Sequence, residues 1–215
     1  MIDMAGPVGL LAPADLLPRL LARLTQAPPL AFAADELPPA LPPGLVVLDA
    51  TCTLQTLPQR LDALSRSGVQ LVDFHLLFDH PVAEQYGWMI AAGGTAAALD
   101  QAAAWLDRLA PVPSGWLRAG APGAGCLFGQ LATFWTQQQS DTIQWLSERG
   151  PHGVAMFDPA SWQAQAGKYV PAAIQAAQNY LMLEAASNPD ASTALSPASI
   201  LCRTLLASVH TPSAS

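Results

Sequence analysis

Short apolar segments of strand length alternate with helical segments over the first half of the chain, and this alternation restricts the possible folds most strongly. The clearest segment, residues 44–50, has a turn glycine, four apolar residues and then an aspartate. Shorter apolar runs that also predict strands occupy Val8–Ala12, Leu30–Ala33, 69–73 and 88–92. Leucines and alanines at three- and four-residue spacing separate these runs, which is typical of helices. The alternation predicts an α/β fold with parallel strands.

The last part of the chain has a different pattern, with no convincing strand signal after Trp116. Apolar residues at helical spacing predict a long helix that begins near Gly125 and ends near Arg149. Two further helices are predicted over 168–186 and 196–208, the second with a serine cap and a proline in its first turn. The chain is therefore predicted to comprise an α/β domain, residues 1–118, and an all-helical domain, residues 119–215.

Composition excludes several classes of protein. Hydrophobic residues make up 51% of the chain and charged residues only 12%, which excludes intrinsic disorder over most of its length. Sixteen acidic residues against nine basic ones give a net charge of −7, and Lys168 is the only lysine, so no nucleic-acid partner is expected. The apolar stretch 8–24 contains Asp15, two arginines and two prolines, which excludes a membrane span, and no secretory signal is expected. We expect a cytoplasmic protein.

The three cysteines, Cys52, Cys126 and Cys202, are far apart in sequence and form no Cys-x-x-Cys pair. This spacing indicates neither a disulfide framework nor a zinc site, and favours buried thiols in a reducing cytoplasm. Cys52 follows the predicted strand at 44–50, where α/β sheets collect active sites, so a nucleophilic role is an alternative. Because no histidine lies near it in sequence, a structural thiol is the favoured interpretation.

The densest cluster of potential metal ligands is His75, Asp79, His80 and Glu84. If the residues after Pro81 are helical, His80 and Glu84 share a face, and a zinc or iron site can be imagined. The favoured interpretation is structural: Asp79 caps a short helix with Pro81 in its first turn, and the histidines make ordinary polar contacts. No metal is therefore predicted.

Four sequence motifs follow one another in order: Gly44-Leu-Val-Val-Leu-Asp-Ala-Thr-Cys-Thr, Gly68-Val-Gln-Leu-Val-Asp, Gly87-Trp-Met-Ile-Ala-Ala-Gly-Gly and Gly120-Ala-Pro-Gly-Ala-Gly. This order resembles the 6-phosphogluconate dehydrogenase and 3-hydroxyisobutyrate dehydrogenase superfamily, in which the last motif opens a long interdomain helix. The run Val8-Gly-Leu-Leu-Ala-Pro is similar to the preceding strand, which in that family ends beside the nicotinamide. The resemblance covers about residues 8–148. It implies a truncated Rossmann-like parallel sheet followed by an all-helical C-terminal domain.

The dinucleotide fingerprint of that family, G-x-G-x-x-G, should lie well before the strand at Val8. Only seven residues precede Val8, so we expect the first strands and the pyrophosphate-binding helix N-terminus to be missing. The glycines at 120–125 have a similar spacing, but the resemblance assigns them to the start of the interdomain helix. We therefore expect no cofactor.

The resemblance also places the residues that carry the chemistry of the family. Its catalytic lysine falls on Gly129, its asparagine on Thr133 and the acid of the sugar-acid branch on Thr136. The asparagine of its D-G-G-N-S turn aligns with Cys52, and its substrate loop with about 77–79. Hydride transfer from a 3-hydroxy acid needs a base for the hydroxyl proton, which glycine cannot supply. No catalytic residue is therefore assigned.

In the family, the long helix and its successors build an intimate dimer, and we expect association here too. Trp135 and Trp145 are expected to pack in the core, and Gln137, Gln138 and Gln139 to form a solvated or interfacial polar face. A remnant of the family's cleft is expected to be formed by Cys52, Asp79, Gly123, Gly125, Gly129 and Thr133.

Two hypotheses of different classes follow. In the favoured one, the chain is a non-catalytic relative (a pseudoenzyme) that acts through association, as a homodimer or with a full-length relative. A sheet edge left bare by missing strands would itself favour association. In the alternative, the chain is a diverged oxidoreductase that uses NAD or NADP, or a protein that binds a small ligand in the remaining cleft.

Overall fold

The computed structural model describes residues 7–24, 30–33, 41–148, 158–187 and 195–210. Within these ranges the strands are β1 (Val8–Ala12), β2 (Leu30–Ala33), β3 (Val46–Asp49), β4 (Gln70–Phe78), β5 (Met89–Gly94) and β6 (Leu117–Gly120). The helices are α1 (Leu17–Arg23), α2 (Leu57–Ser65), α3 (Ala83–Tyr86), α4 (Ala96–Leu109), α5 (Ala124–Glu148), α6 (Pro159–Ala166), α7 (Val170–Ser187) and α8 (Pro197–His210).

The strands form one sheet in the order β2-β1-β3-β4-β5-β6. Neighbouring strands are parallel except for β4 and β5, which pair antiparallel. The connection between those two strands, residues 79–88, is shorter than the dozen or so residues that a parallel crossover needs. The predicted α/β sheet is confirmed as mostly parallel, with β5 and β6 running opposite to the other four strands.

Five of the six strands lie where apolar runs predicted them, and β6 does not. The expectation that no strand follows Trp116 is wrong, because Leu117 and Arg118 pair in parallel with β5. β6 has only four residues and no β-branched side chain, so its strand conformation comes from pairing at the sheet edge rather than from its own sequence. It also spans the predicted domain boundary at 118, and the division into two domains stays a prediction.

The N-terminal unit β1–α1–β2 contains the strand predicted at Leu30–Ala33. In the sheet, β2 lies parallel to β1 on the side away from β3. The strand that follows β1 along the chain, β2, therefore lies on one side of it, and the next strand, β3, lies on the other side. This strand order defines a topological switch point. A reduced first half of a doubly wound sheet is therefore present.

Two apolar cores cover the two faces of the sheet, as alternation along the strands requires. Leu10 and Leu48 point to a core shared with α1 and α4, and Leu11 and Val47 point to a core shared with α2, α5, α7 and α8. All four of these strand side chains are fully buried. The parallel strands β1 and β3 are buried on both faces, which explains their nearly continuous apolar sequence.

The predicted helices are confirmed with small changes at their ends. Thr95 caps α4 by accepting a hydrogen bond from Ala98 N–H at 3.2 Å. Thr56 precedes α2 but makes no capping hydrogen bond from its side chain; its hydroxyl accepts from Thr53 N–H instead. Among the described residues, no helix is both long enough and apolar enough to cross a bilayer.

Candidate functional site

Asp73, at the middle of β4, joins the sheet to the first turn of α5. Its Oδ1 accepts a hydrogen bond from Gly123 N–H at 2.7 Å, and its Oδ2 accepts one from Cys126 N–H at 2.8 Å. The side chain is fully buried, and this burial raises the pKa of its carboxyl group to about 6, although both hydrogen bonds lower it. The carboxylate satisfies N–H groups that the first turn of any helix leaves unpaired.

Small residues allow this close approach of helix and strand. A β-carbon on Gly125 would contact the carbonyl oxygen of Asp73, and one on Gly93 would lie 2.6 Å from the carbonyl oxygen of Ala121. Gly123 has a φ of +97°, a conformation that L side chains rarely adopt. The glycines of the G-x-x-G-x-G motif therefore have a structural role here, at the start of the long helix, as the resemblance implies.

Two cysteines that lie far apart in sequence meet beside Asp73. The Sγ atoms of Cys52 and Cys126 are 3.4 Å apart, and both side chains are buried. His75, on β4, reaches the same place, with Nε2 3.1 Å from the carbonyl oxygen of Cys52. No histidine lies near Cys52 along the sequence, but the fold brings His75 beside it.

The environment of these thiols keeps them protonated. The hydrogen bond from Cys126 lowers the pKa of Cys52, but burial and the charges of Asp49 and Asp73 outweigh it, and the pKa is raised. Contact with Cys52, followed by burial, raises the pKa of Cys126. Burial lowers the pKa of His75. Cys52 is therefore not the activated thiolate that a nucleophilic role requires.

The resemblance aligns the catalytic lysine with Gly129, and the side chain of His75 packs against this glycine. A β-carbon built on Gly129 would lie 2.5 Å from Cγ of His75 and 2.7 Å from its Nδ1. Any side chain at this position therefore collides with the imidazole. The histidine ring occupies the space that the first side-chain atoms of a larger residue at position 129 would need.

A cavity of about 320 Å³ lies between the end of β4 and the middle of α5. Gly129, Thr133, Thr136 and Gln137 line its helical side, and 76–79 line its sheet side. Of the six residues expected to form a cleft, Asp79, Gly129 and Thr133 line this cavity. Cys52 lies on the inner side of His75, while Gly123 and Gly125 lie at Asp73, so the structure does not bring all six together.

The polar groups that line the cavity are already bonded within the protein. The hydroxyls of Thr133 and Thr136 donate to backbone oxygens one turn earlier in α5, at 2.9 and 3.0 Å. Asp79 accepts two hydrogen bonds from Arg19, at 2.7 and 2.9 Å, and one from Trp88 Nε1 at 3.1 Å. The bond from Arg19 lowers the pKa of Asp79, so this carboxylate is a weak base.

The sequence cluster His75, Asp79, His80 and Glu84 does not assemble as a metal site. Arg19 binds both carboxylates, with Nε 2.6 Å from Oε1 of Glu84. His80 Nδ1 accepts a hydrogen bond from the backbone N–H of residue 82, and His75 points inward to Cys52. The expected cap is also wrong, because α3 begins after Val82 and Asp79 instead holds Arg19 against the sheet.

The loop between β1 and α1 is where a dinucleotide fingerprint would stand. It reads Pro-Ala-Asp-Leu, without a glycine. The N–H groups of Leu16 and Leu17 both donate to the carbonyl oxygen of Pro13, at 3.0 and 2.9 Å, and Pro18 has no N–H to offer. Asp15 adds a negative charge. This loop lacks the glycines that let a backbone approach a pyrophosphate, and the N–H groups of Leu16 and Leu17 are already bonded.

The remaining candidates lie away from the cavity. Lys168 Nζ binds Asp141 Oδ2 at 2.5 Å, on the far part of α5. The expectation that Trp135 packs in the core is wrong, since 68% of it is exposed. Trp145 is half-buried and contacts Trp162 in a tilted arrangement, with ring centroids 5.9 Å apart and ring planes at 60°.

Sequence reasoning missed the contact between Cys52 and Cys126, although the four motifs contained a signal for it. Cys52 follows β3 and Cys126 follows the glycine motif that opens α5, and the resemblance places both segments around the strand that carries Asp73.

No known protein-family profile and no curated protein matches the sequence. Solved structures do match. An imine reductase from Myxococcus stipitatus in complex with NADP⁺ has a TM-score of 0.50 at 12% identity, covering 88% of this chain and 80% of that one. A 3-hydroxyisobutyrate dehydrogenase from Salmonella typhimurium has a TM-score of 0.49 at 14% identity (94% and 93% covered). A 3-hydroxyisobutyrate dehydrogenase from Mycobacterium tuberculosis has a TM-score of 0.49 at 13% identity, covering 96% of this chain and 94% of that one.

Identities this low show a shared fold and nothing about the reaction. The match to the imine reductase therefore shows that this chain shares its fold.

Proposed function

We propose that this chain is a non-catalytic relative of these dehydrogenases that acts through protein association. The observation that carries the proposal is the packing of His75 against Gly129 at the position of the family lysine. In the part of the chain that the structure describes, the cavity beside Gly129 has no lysine, histidine or cysteine in its lining. Its one carboxylate is neutralised by Arg19. General acid–base catalysis on a hydroxy acid has no group to use there.

The long helix α5 supports the association half of the proposal. Its fully buried residues all lie in its first six positions, 124–129, although it continues to Glu148. Beyond them, Trp135 and Ile143 are each 68% exposed and lie two turns apart on one face, with Leu146 one turn further. An exposed apolar stripe of this kind marks a surface that binds another protein.

Helices α6, α7 and α8 also expose large apolar side chains. Exposed large apolar residues on or beside them include Trp162, Val170, Met182, Leu195 and Ile200. The occupant we propose is a second copy of this chain, with a full-length relative as the alternative, because in the resembling family the corresponding helices form a dimer. The cytoplasmic location and the absence of a bound cofactor are parts of this proposal.

Sedimentation velocity tests the association. The wild type should sediment as a dimer, and Trp135→Lys with Ile143→Lys should convert it to a folded monomer. The matched control is Tyr86→Lys with Val112→Lys, which places the same charges on residues that are each 60% exposed but lie outside these helices. A wild type that stays monomeric alone and with a full-length relative overturns this half of the proposal.

Nucleotide titration tests the loss of catalysis. Neither NAD⁺ nor NADP⁺ should quench the tryptophan fluorescence or release heat at micromolar concentrations. The cavity of about 320 Å³ favours one alternative, a diverged oxidoreductase or a small-ligand-binding protein. Micromolar binding of either nucleotide would establish that alternative in place of the pseudoenzyme.

A further inference from the structure

Three side chains of metal-binding type come together from three separate elements. Cys52 follows β3, His75 belongs to β4, and Cys126 lies in the first turn of α5. One ligand atom from each, two sulfurs and a ring nitrogen, all lie within 4.8 Å of one another. Among the described residues, this is the one group of three such side chains at that spacing. We propose that Cys52, His75 and Cys126 form a binding site for one Zn²⁺ ion.

The separation of the sulfurs fits a shared metal ion better than a disulfide. Two thiolates bound about 2.3 Å from one tetrahedral zinc ion stand about 3.8 Å apart. The observed 3.4 Å differs from that by a few tenths of an ångström. A disulfide needs about 2.0 Å, so its sulfurs would have to approach by more than an ångström within a packed core.

Charge balance selects a divalent ion. Two thiolates and one Zn²⁺ sum to zero, so the occupied site places no net charge in the interior. A monovalent ion would leave one negative charge beside two buried carboxylic side chains, Asp49 and Asp73. Thiolate and imidazole together are the donor set that zinc prefers, whereas calcium and magnesium require oxygen ligands.

Neighbouring backbone groups fix the geometry of the donors. The carbonyl oxygen of Cys52 lies 3.1 Å from Nε2 of His75 and 3.3 Å from Sγ of Cys126, which holds all three residues around one point. The Asp73 carboxylate binds the N–H of Cys126 and so sets the start of α5. Three protein ligands leave the fourth position of a tetrahedral zinc ion to a water molecule. On binding, both thiol protons pass to solvent and the Nε2 proton of His75 moves to Nδ1, so the hydrogen bonds that Cys126 Sγ and His75 Nε2 make with the carbonyl oxygen of Cys52 are replaced by bonds to the metal.

The experiment uses the full-length, reduced protein and Zn²⁺ in competition with a chromophoric chelator. The wild type should bind one Zn²⁺ per chain and release about two protons per ion. Co²⁺ in place of Zn²⁺ should give a thiolate-to-cobalt charge-transfer band in the near ultraviolet. Cys202→Ser is the matched control, because Cys202 is also a fully buried cysteine but lies on α8, outside the cluster.

Cys52→Ser and Cys126→Ser should each weaken Zn²⁺ binding by more than the roughly 10–100-fold that loss of a ligand's hydrogen-bond partner costs. Cys202→Ser should bind as the wild type does. If a serine variant fails to fold by circular dichroism, proton release and the cobalt band of the wild type decide the matter. Reduced wild type that takes up no Zn²⁺, equal affinity in all three variants, or a Cys52–Cys126 disulfide in protein purified without oxygen would each overturn the proposal.

Discussion

The imidazole of His75 rests directly against the α-carbon of Gly129, so closely that a β-carbon on the glycine would lie 2.5 Å from Cγ of the ring. The imidazole ring therefore separates two different environments. On one side of the ring lies Gly129, which also lines the cavity. On the other side lie the thiols of Cys52 and Cys126.

Gly129→Ala should destabilise the protein by about 1–3 kcal/mol, because the new methyl group overpacks a filled site. The effect should largely disappear when His75→Ala is made as well, which a double-mutant cycle by urea unfolding measures. Gly9→Ala is the control, since a β-carbon there meets its neighbours at 3.4 Å or more. Equal costs of Gly129→Ala with and without His75 would contradict the steric explanation.

Asp73→Ala should lower the free energy of unfolding by about 2–5 kcal/mol, because it leaves the buried N–H groups of Gly123 and Cys126 without an acceptor. Asp100→Ala is the control: Asp100 makes an exposed ion pair with Arg118 at 2.7 Å, and its loss should cost at most about 1 kcal/mol. Similar losses for the two variants in chemical denaturation would show that the Asp73 bonds contribute little.

Asp73 should also make stability depend on pH. Its folded-state pKa of about 6 lies above the ordinary value of 3.8, so the folded state holds the proton more tightly than the unfolded state does. Its contribution is therefore fully present below pH 3.8 and is lost as the pH rises through 6, a change of about 3 kcal/mol.

The measurement compares the wild type with Asp73→Asn, in which the contributions of the other titrating groups cancel. The unfolding free energy of the wild type minus that of the variant should fall between pH 4 and pH 7. A difference that stays constant or rises over this range would mean that the carboxyl group is not buried as described.

Glu184 should hold α8 against α7. Its carboxylate accepts hydrogen bonds from the hydroxyl of the buried Ser199, at 2.6 Å to each oxygen, and from Tyr180 at 3.0 Å. Glu184→Ala should cost about 1–3 kcal/mol in thermal unfolding, and Glu184→Gln less, because the amide oxygen still accepts. Gln175→Ala, at an exposed hydrogen-bonded pair on the same helix, should change stability little. A full loss in Glu184→Gln would instead indicate that the negative charge itself is required.

Local patterns in the sequence were enough to predict most of the fold. β1, β3 and α4 have apolar periods and end signals that act over a few residues, so each could be placed without knowledge of its neighbours. β6 could not, because its strand conformation depends on β5. The exposure of Trp135 could not be predicted either, since it depends on how far α5 continues past the sheet that covers its first turns.

The candidate site was less predictable because its contacts join distant parts of the chain. Cys52 and Cys126 are separated by 74 positions, and His75 meets them only because β4 lies beside β3. Residue types suggested a different cluster, that of Asp79 and Glu84, whose carboxylates Arg19 occupies. Proximity in sequence was a poor guide to proximity in space.

The bonds from Asp73 to the start of α5 have a consequence for how the protein opens. The first turn of a helix ordinarily frays, and its amide hydrogens exchange with solvent early. Here the N–H groups of Gly123 and Cys126 donate hydrogen bonds to the carboxylate of Asp73, on the central strand β4. They can exchange only when β4 itself separates from the helix, so these two amides should count among the slowest in the molecule, and the start of α5 and the centre of the sheet should unfold as one cooperative unit.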